Sequence, residues 1–365
     1  MNDVFGVVLA AGFGSRLRPA THRCPKPLLP VGGVEPLFLA LGRLSDAGVR
    51  RVVVNAHHLS ERVQATLKDW QARYFSNLEI RCTVESPAIL GSGGGLLNIL
   101  SRNPDWAKNS RMLVLNGDTL TDLDPRSLLE APASPGRGAL FSISTLEAHL
   151  ERYGPVWIDE RADRYGYKGV GRQSRPAASR AAHFLGLHLL EAEAVERLRR
   201  PAEFAVRDTD LFGGIYEPLI ERGMRVEGYP CFANGRGEKF WFDLNTTEFF
   251  LEAQKWLLES LAKEPDGYWA SFVRRRHPGI EERAPGVWAY PSAGLGGECL
   301  GPVVVALQDA KSLKGRVGPN ASLVGVRASL DASLEIREAS VLADGEEAST
   351  ISRRVDGEVL VVPEA

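Results

Sequence analysis

The chain has 365 residues, 44% hydrophobic and 25% charged, with a net charge of -2. That length suggests two domains, and the composition is that of a globular protein able to bury a large core without staples. Lys and Arg number 44 against 46 Asp and Glu, which excludes a protein built for a bulk electrostatic grip on nucleic acid.

Cysteine and histidine usage narrows the chemistry further. Cys24, Cys82, Cys231 and Cys299 lie too far apart for a metal knuckle or a redox pair, and they fit a reducing compartment. His57 and His58 are adjacent, so on a strand they point to opposite faces and do not form a chelate. No apolar run approaches the ~18 residues of a membrane span. The apolar run 4–11 is short and preceded by Asp3, so it reads as a buried strand rather than a leader, and a cytoplasmic protein is expected.

The first half alternates strands and helices. Residues 4–11 form a continuous apolar run ending at Gly12, the mark of a strand buried on both faces. Leu37, Leu41 and Leu44 recur at helical spacing within 36–47, and Gly48 stops that helix. A strand at 51–56 follows. Ser60 is then placed to cap a helix carrying Val63, Leu67 and Trp70. Leu78, Ile80, Cys82 and Val84 alternate as in a strand. The glycine-rich stretch 91–95 leads into a short helix through Leu100, and 112–115 is another buried strand, ending at Asn116-Gly117-Asp118. Repeated units of this kind predict right-handed crossovers and a doubly wound, mostly parallel, Rossmann-like α/β sheet, with ligands at the carboxyl ends of its strands.

Beyond residue 139 the pattern is mixed. Strands are predicted at 140–145, 156–158, 184–189 and 240–242, and helices at 191–198 and 210–222, with a polar, arginine-rich stretch at 159–183. Asn245, with Glu248 three residues on, reads as the cap of a long helix bearing Phe249, Phe250, Ala253, Trp256, Leu257 and Leu261. Residues 264–285 read as a connection between a domain at 1–263 and a C-terminal region at 286–365. In that region Val317, Leu323, Ser329, Glu335 and Val341 recur about every six residues, separated by small and turn residues. This predicts a short, degenerate β-helix, left-handed by analogy with hexapeptide repeats, over an irregular β-rich tail.

The motif with most chemical content lies after the first strand: Leu9-Ala10-Ala11-Gly12-Phe13-Gly14-Ser15-Arg16-Leu17-Arg18-Pro19, then Pro25-Lys26-Pro27. Gly12 and Gly14 let backbone N–H groups approach phosphate oxygens. Arg16 offers a planar fork for two such oxygens. Lys26 sits between two prolines as a stiffly held positive charge. A P-loop would need a closing Gly-Lys-Ser/Thr. The dinucleotide fingerprint needs a third glycine where Leu17 stands.

This ordered combination resembles the sugar-phosphate nucleotidyltransferase family over residues 3–258. The resemblance implies an enzyme that joins the nucleotide of a nucleoside triphosphate to a sugar 1-phosphate and releases pyrophosphate. It implies Mg²⁺, held by Asp118 of Asn116-Gly117-Asp118 and by Asp243 of Trp241-Phe242-Asp243-Leu244-Asn245-Thr246. Two carboxylates plus phosphate oxygens and water suit that ion. Arg16, Lys26 and Asp118 are the implied catalytic residues. Leu9, Ala11, Gly12, Gly14, Ser15, Arg16, Lys26, Glu85, Gly93 and Gly94 are implied at the nucleotide, and Asn116, Tyr153, Gly154 and Lys168 at the sugar. The chain lacks the Glu-Lys-Pro tripeptide whose lysine meets the sugar phosphate in many relatives. Lys168, or one of Arg161, Arg164, Arg172, Arg175 and Arg180, is the replacement to look for. The tail resembles that of mannose-1-phosphate guanylyltransferases and points to homo-oligomers. The core looks equally like N-acetylmuramate-1-phosphate uridylyltransferase. The reading leans to GTP and mannose 1-phosphate. A nicotinamide-dependent dehydrogenase is disfavoured. A non-catalytic homologue would be marked by loss of Arg16, Lys26 or Asp118, and all three are present.

Overall fold

Valine-rich runs with no polar face must be covered on both sides, and the sheet they form is central. In the computed structural model of the chain, β1 (Asp3–Leu9), β2 (Arg51–Ala56), β3 (Glu79–Val84) and β4 (Ser110–Asn116) pair in parallel in the order β3-β2-β1-β4. Val7, Val8, Val52, Val53, Val54 and Val114 are all fully buried. The structure describes residues 3–145, 150–151, 153–161, 164–171, 176–200, 210–231, 240–293, 295, 298–307, 312–313, 315–325, 328–330, 335–343, 349–351 and 354–362. Arg172 and Arg175 lie outside the described residues.

The chain divides into two compact units. The first comprises Met1–Gly12, Ala40–Gly117 and Thr121–Trp241; the second comprises Phe13–Leu39, Asp118–Leu120 and Phe242–Ala365. After the short strand β5 (Thr119–Thr121), the first unit continues with β6 (Arg137–Ser144), β7 (Val156–Arg161), β8 (Arg164–Val170), β9 (Arg180–Leu190) and β10 (Arg225–Pro230). These extend the sheet to the order β3-β2-β1-β4-β9-β6-β10-β8-β7. The sheet is therefore mixed, not mostly parallel. β9 runs antiparallel to β4, β6 and β7, and β8 runs antiparallel to β7 and β10. The arginine-rich stretch folds as the hairpin β7–β8, which pairs with β9 through β7 and with β10 through β8, and these antiparallel strands make the sheet mixed.

Two helix starts differ from expectation. Ser60 is the first residue of the Ser60–Arg73 helix rather than its cap; Leu59 holds the cap position with φ 50° and gives no side-chain hydrogen bond. Val63, Leu67 and Trp70 are buried as the spacing requires. The glycines 91–95 do not form a loop ahead of a helix. They are the first turns of the helix Gly91–Arg102.

In the second unit, β11 (Trp241–Asp243) leads to the long helix Thr247–Lys263. Its cap is Thr246, whose hydroxyl accepts from the Phe249 N–H, and not Asn245. The stretch read as a connection holds a further helix, Tyr268–Arg276, with Trp269, Ala270, Phe272 and Val273 buried, and β12 (Glu281–Ala284). The next strands are β13 (Val287–Ala289), β14 (Val303–Leu307), β15 (Ser312–Leu313), β16 (Arg316–Val317), β17 (Ala321–Gly325), β18 (Ala328–Leu330) and β19 (Glu335–Arg337). The last are β20 (Ser340–Ala343), β21 (Ser349–Ile351), β22 (Val355–Asp356) and β23 (Val359–Val362). They fall into three sheets, β12-β13-β14-β17-β20-β23, β15-β18-β21 and β16-β19-β22. Every pairing from β13 onward is parallel. The five recurring positions each fall on a strand, and Val317, Leu323 and Val341 join one buried cluster with Val305, Ile336 and Val355.

In the first unit Phe141, at the middle of β6, meets Tyr167, Phe184, Phe212 and Tyr216 with ring centroids 5.6 to 6.5 Å apart. Phe141→Ala removes all four ring contacts from a fully buried site, at an expected cost of about 3–5 kcal/mol. A urea titration followed by tryptophan fluorescence should show a lower midpoint. An unchanged midpoint would mean that this aromatic group does not hold the sheet together.

Candidate active site

A lysine placed between two prolines cannot easily swing away, and the second unit exploits this. Lys26 opens the three-residue turn Lys26–Leu28 and is 6% exposed. A buried ammonium needs partners. Its Nζ donates to Asp118 Oδ2 and to Asn245 Oδ1, each at 2.8 Å. The Asn245 amide in turn donates to Asp243 Oδ2. Asp118 and Asp243 are brought together because β5 and β11 pair, and the Leu244 N–H donates to the Asp118 carbonyl at 3.2 Å.

Electrostatically the cluster carries two carboxylates against one ammonium. The Asp243 carboxyl is pushed up to about 7, first by burial and then by the Asp118 charge; Lys26, Arg16 and the Asn245 hydrogen bond pull the other way. The donors gathered here are hard oxygens, two of them carboxylates. This is the donor set Mg²⁺ takes when phosphate and water supply the remaining ligands. Asp118 and Asp243 would hold the ion.

The loop predicted to meet phosphate, Gly14 to Leu17, is tightly turned. Gly14 has φ +61°, and a Cβ there would lie 2.8 Å from the Thr21 methyl and 3.1 Å from Lys26 Cβ. The Thr21 hydroxyl donates to the Gly14 carbonyl at 2.9 Å. Ser15 and Arg16 begin the short turn Ser15–Leu17 with both side chains exposed, while Leu17 is buried as its anchor.

In the first unit, the predicted nucleotide-side residues gather at the carboxyl ends of the parallel strands. Leu9 ends β1, and the next amide, Ala10 N–H, donates to Asn55 Oδ1 at 2.6 Å. Ala11 is buried and Gly12 exposed. Glu85, just after β3, is 2% exposed, and both its oxygens are engaged within the protein. Oε1 accepts from Asn55 at 2.7 Å and Oε2 accepts from the Leu90 N–H at 2.8 Å. The glutamate side chain therefore shapes the loop 85–90. Gly93 and Gly94 lie in the first turn of the helix that follows, where backbone N–H groups lack intrahelical acceptors and side chains do not obstruct them.

The sugar-side candidates separate into two groups. Asn116 ends β4 in register with Leu9. Tyr153 stacks on His183 at 4.7 Å and meets the edge of Trp241 at 4.8 Å, with exposed Gly154 beside it. Lys168 and Arg180 are exposed on β8 and β9, and Lys168 is ion-paired with Asp159 at 3.4 Å. Sequence reasoning did not single out Asn55 or His183, and it read Asn245 as a helix cap only. For Asn245 a signal existed: the adjacent Thr246 is also among the favoured cap residues, which leaves the asparagine available for another task.

The Asp243 shift has a sign that can be tested. A carboxyl whose folded value is raised above its ordinary 3.8 binds protons more tightly when folded, so this group opposes folding progressively as pH rises from about 4 to about 7. Asp243→Asn carries no charge at any pH. Its melting temperature relative to the unaltered protein should rise between pH 5 and pH 8 in metal-free buffer. A difference that is flat with pH would show that the cluster does not strain Asp243.

The chain matches the model of the nucleotidyl transferase family over residues 5–260. It is 28% identical over 294 residues to a UTP–glucose-1-phosphate uridylyltransferase of Synechocystis, covering 77% of this chain and 68% of that protein. It is 27% identical over 301 residues to a mannose-1-phosphate guanylyltransferase of Mycobacterium tuberculosis, covering 82% and 76%. Over 131 residues it is 34% identical to the N-acetylmuramate alpha-1-phosphate uridylyltransferase of Neisseria meningitidis, covering 35% and 52%. A solved Bacillus anthracis structure assigned as a glucose-1-phosphate thymidylyltransferase superposes with a TM-score of 0.52 at 20% identity, covering 69% of this chain and 94% of that one, and it supports the fold alone. With its glycine turn, arginine and buried lysine in place, the chain belongs to the nucleotidyl transferase family.

Proposed function

We propose that the protein transfers the nucleotidyl group of a nucleoside triphosphate to a sugar 1-phosphate, releasing pyrophosphate and forming an NDP-sugar. The observation that carries this reading is the Lys26 cluster, in which one lysine meets a carboxylate and, through Asn245, a second. A sugar phosphate oxygen attacks the α-phosphorus while the bond to the pyrophosphate oxygen breaks in line. The attacking group has a second pKa near ~6 and is mostly ionised at neutral pH, so no side chain needs to remove a proton. When bound, Mg²⁺ supplies neutralisation of the triphosphate charge. Lys26 and Arg16 add positive charge, and the prolines about Lys26 keep it from relaxing away. The first-turn amides of the glycine helix are suited to the acceptors on a nucleobase edge.

For the substrate pair we propose GTP and mannose 1-phosphate. The support is the mycobacterial guanylyltransferase, whose 301-residue alignment is longer than the 5–260 family match. The 34% identity to the Neisseria uridylyltransferase favours UTP as the second reading. We also propose that the C-terminal strands wind as a β-helix; the repeated succession across three parallel sheets supports this.

Pyrophosphate release with four nucleoside triphosphates against several sugar 1-phosphates tests the function, and absence of release from every pair would reject it. Asp118→Asn should keep the near-UV circular dichroism of the unaltered protein and lower metal-dependent turnover by about 10²-fold or more. Normal turnover in that variant would remove the cluster from the chemistry.

A further inference from the structure

The segment that follows Lys26 ends in a tight turn that is held almost entirely by residues far along the chain. Val31 and Val34 exchange backbone hydrogen bonds of 3.0 and 3.1 Å, closing a turn at Gly32 and Gly33. Both glycines have positive φ, 55° and 93°. A Cβ on Gly32 would lie 3.0 Å from Leu257 and 3.2 Å from the Trp269 ring nitrogen; one on Gly33 would lie 2.9 Å from Val304. The turn therefore fits a socket walled by the Thr247–Lys263 helix, the Tyr268–Arg276 helix and β14.

Polar groups fasten it there. The Trp269 indole donates to the Gly32 carbonyl at 3.2 Å, and His277 Nε2 bonds the Gly33 carbonyl at 2.6 Å. Arg276 forms two 2.7 Å hydrogen bonds with the buried Glu35 carboxylate. The Ser340 hydroxyl donates to the Pro30 carbonyl. Gln254 joins these parts. It is 1% exposed in the middle of a helix. Its carbonyl oxygen accepts from the Gly32 N–H at 3.4 Å, and its amide donates to the carbonyls of Asn320 at 3.0 Å and Ala339 at 2.5 Å. Those carbonyls stand just before β17 and β20, neighbouring strands of one parallel sheet.

We infer that Gln254 is a positioning residue for Lys26, and that the C-terminal strands form the rear wall of the lysine's support. A buried glutamine with both ends of its amide engaged fixes the distance between the turn and the strands. Pro27 and Pro30 limit backbone rotation between Lys26 and Gly32, so a shift of the turn must reach the lysine. The role of Lys26 rests on the nucleotidyl-transfer reading, but its placement does not, and the two are separable by experiment.

In the full-length protein without substrate, acetic anhydride labelling of Lys26 read by peptide mass spectrometry reports placement alone. Gln254→Met removes all three hydrogen bonds at similar volume and should raise Lys26 labelling about tenfold, because local opening becomes cheaper. Turnover with the active substrate pair should fall about tenfold or more, with a smaller change in KM for the sugar phosphate. In a Lys26→Ala background, Gln254→Met should cause no further fall, whereas a merely structural loss would multiply. Trp269→Phe, which removes the indole N–H to Gly32 together with part of the buried ring but leaves Gln254 in place, is the second variant and should shift both readouts the same way. Unchanged labelling in folded Gln254→Met and Trp269→Phe would overturn the inference. So would a full additional loss of turnover in the Lys26→Ala background.

Discussion

A buried ammonium flanked by prolines is the constraint on which the second unit depends. Lys26 must find anionic or polar partners inside the protein, and it finds Asp118 and Asn245. This fixes β5 beside β11 and sets Asp243 close enough to feel the Asp118 charge. Each carboxylate alone would be an ordinary turn or helix-approach residue. Held against one lysine they make a compact centre of hard oxygen donors and positive charge. The chain that reads as three separate motifs in sequence is, at this point, one electrostatic object.

The first unit solves a different problem, the shaping of backbone donors. Glu85 carries a charge into a nearly closed environment and is compensated by the Asn55 amide and the Leu90 N–H. The same asparagine holds the Ala10 amide as the chain leaves β1. Two loops from different strand ends are thereby locked by one side chain. The glycines that follow keep the helix start bare. Their cost in helix propensity, about 1 kcal/mol each, is a local conflict of the kind expected where backbone must be exposed to a partner.

Much of this was legible in the sequence. The parallel strands announced themselves because a run such as Val52-Val53-Val54 has no polar face. Gly14 and Lys26 were legible as parts of one ordered motif because phosphate chemistry restricts residue types at short spacing, and Asp118 was legible from its place just past a strand end. What failed had physical reasons. The arginine-rich stretch gave no strand signal because its charged residues mask apolar periodicity, and its strands are held by pairing with β9 and β10, which are distant in sequence. Asn245 was read as a cap because capping and bridging ask for the same short polar side chain, and only the contact with Lys26, 219 positions away, separates them. Residues 264–285 were read as a connection because prolines and charges hid Trp269, Phe272 and Val273, which are buried through tertiary contacts that no local pattern encodes.

The socket around Gly32 also has a consequence in time. Its occupant belongs to the segment Phe13–Leu39, while its walls come from Phe242–Ala365. On a ribosome the occupant emerges well before its walls, with the strands of the first unit after β1 made in between. Synthesis proceeds at about 5–20 residues per second and domains fold as they emerge. The first unit can therefore organise its sheet during translation, but the lysine arm stays unsupported until β17 and β20 have emerged. The order of the chain thus places support of the charged centre after synthesis of Ala339 and Ser340, the latter 310 positions beyond the Pro30 carbonyl that it holds.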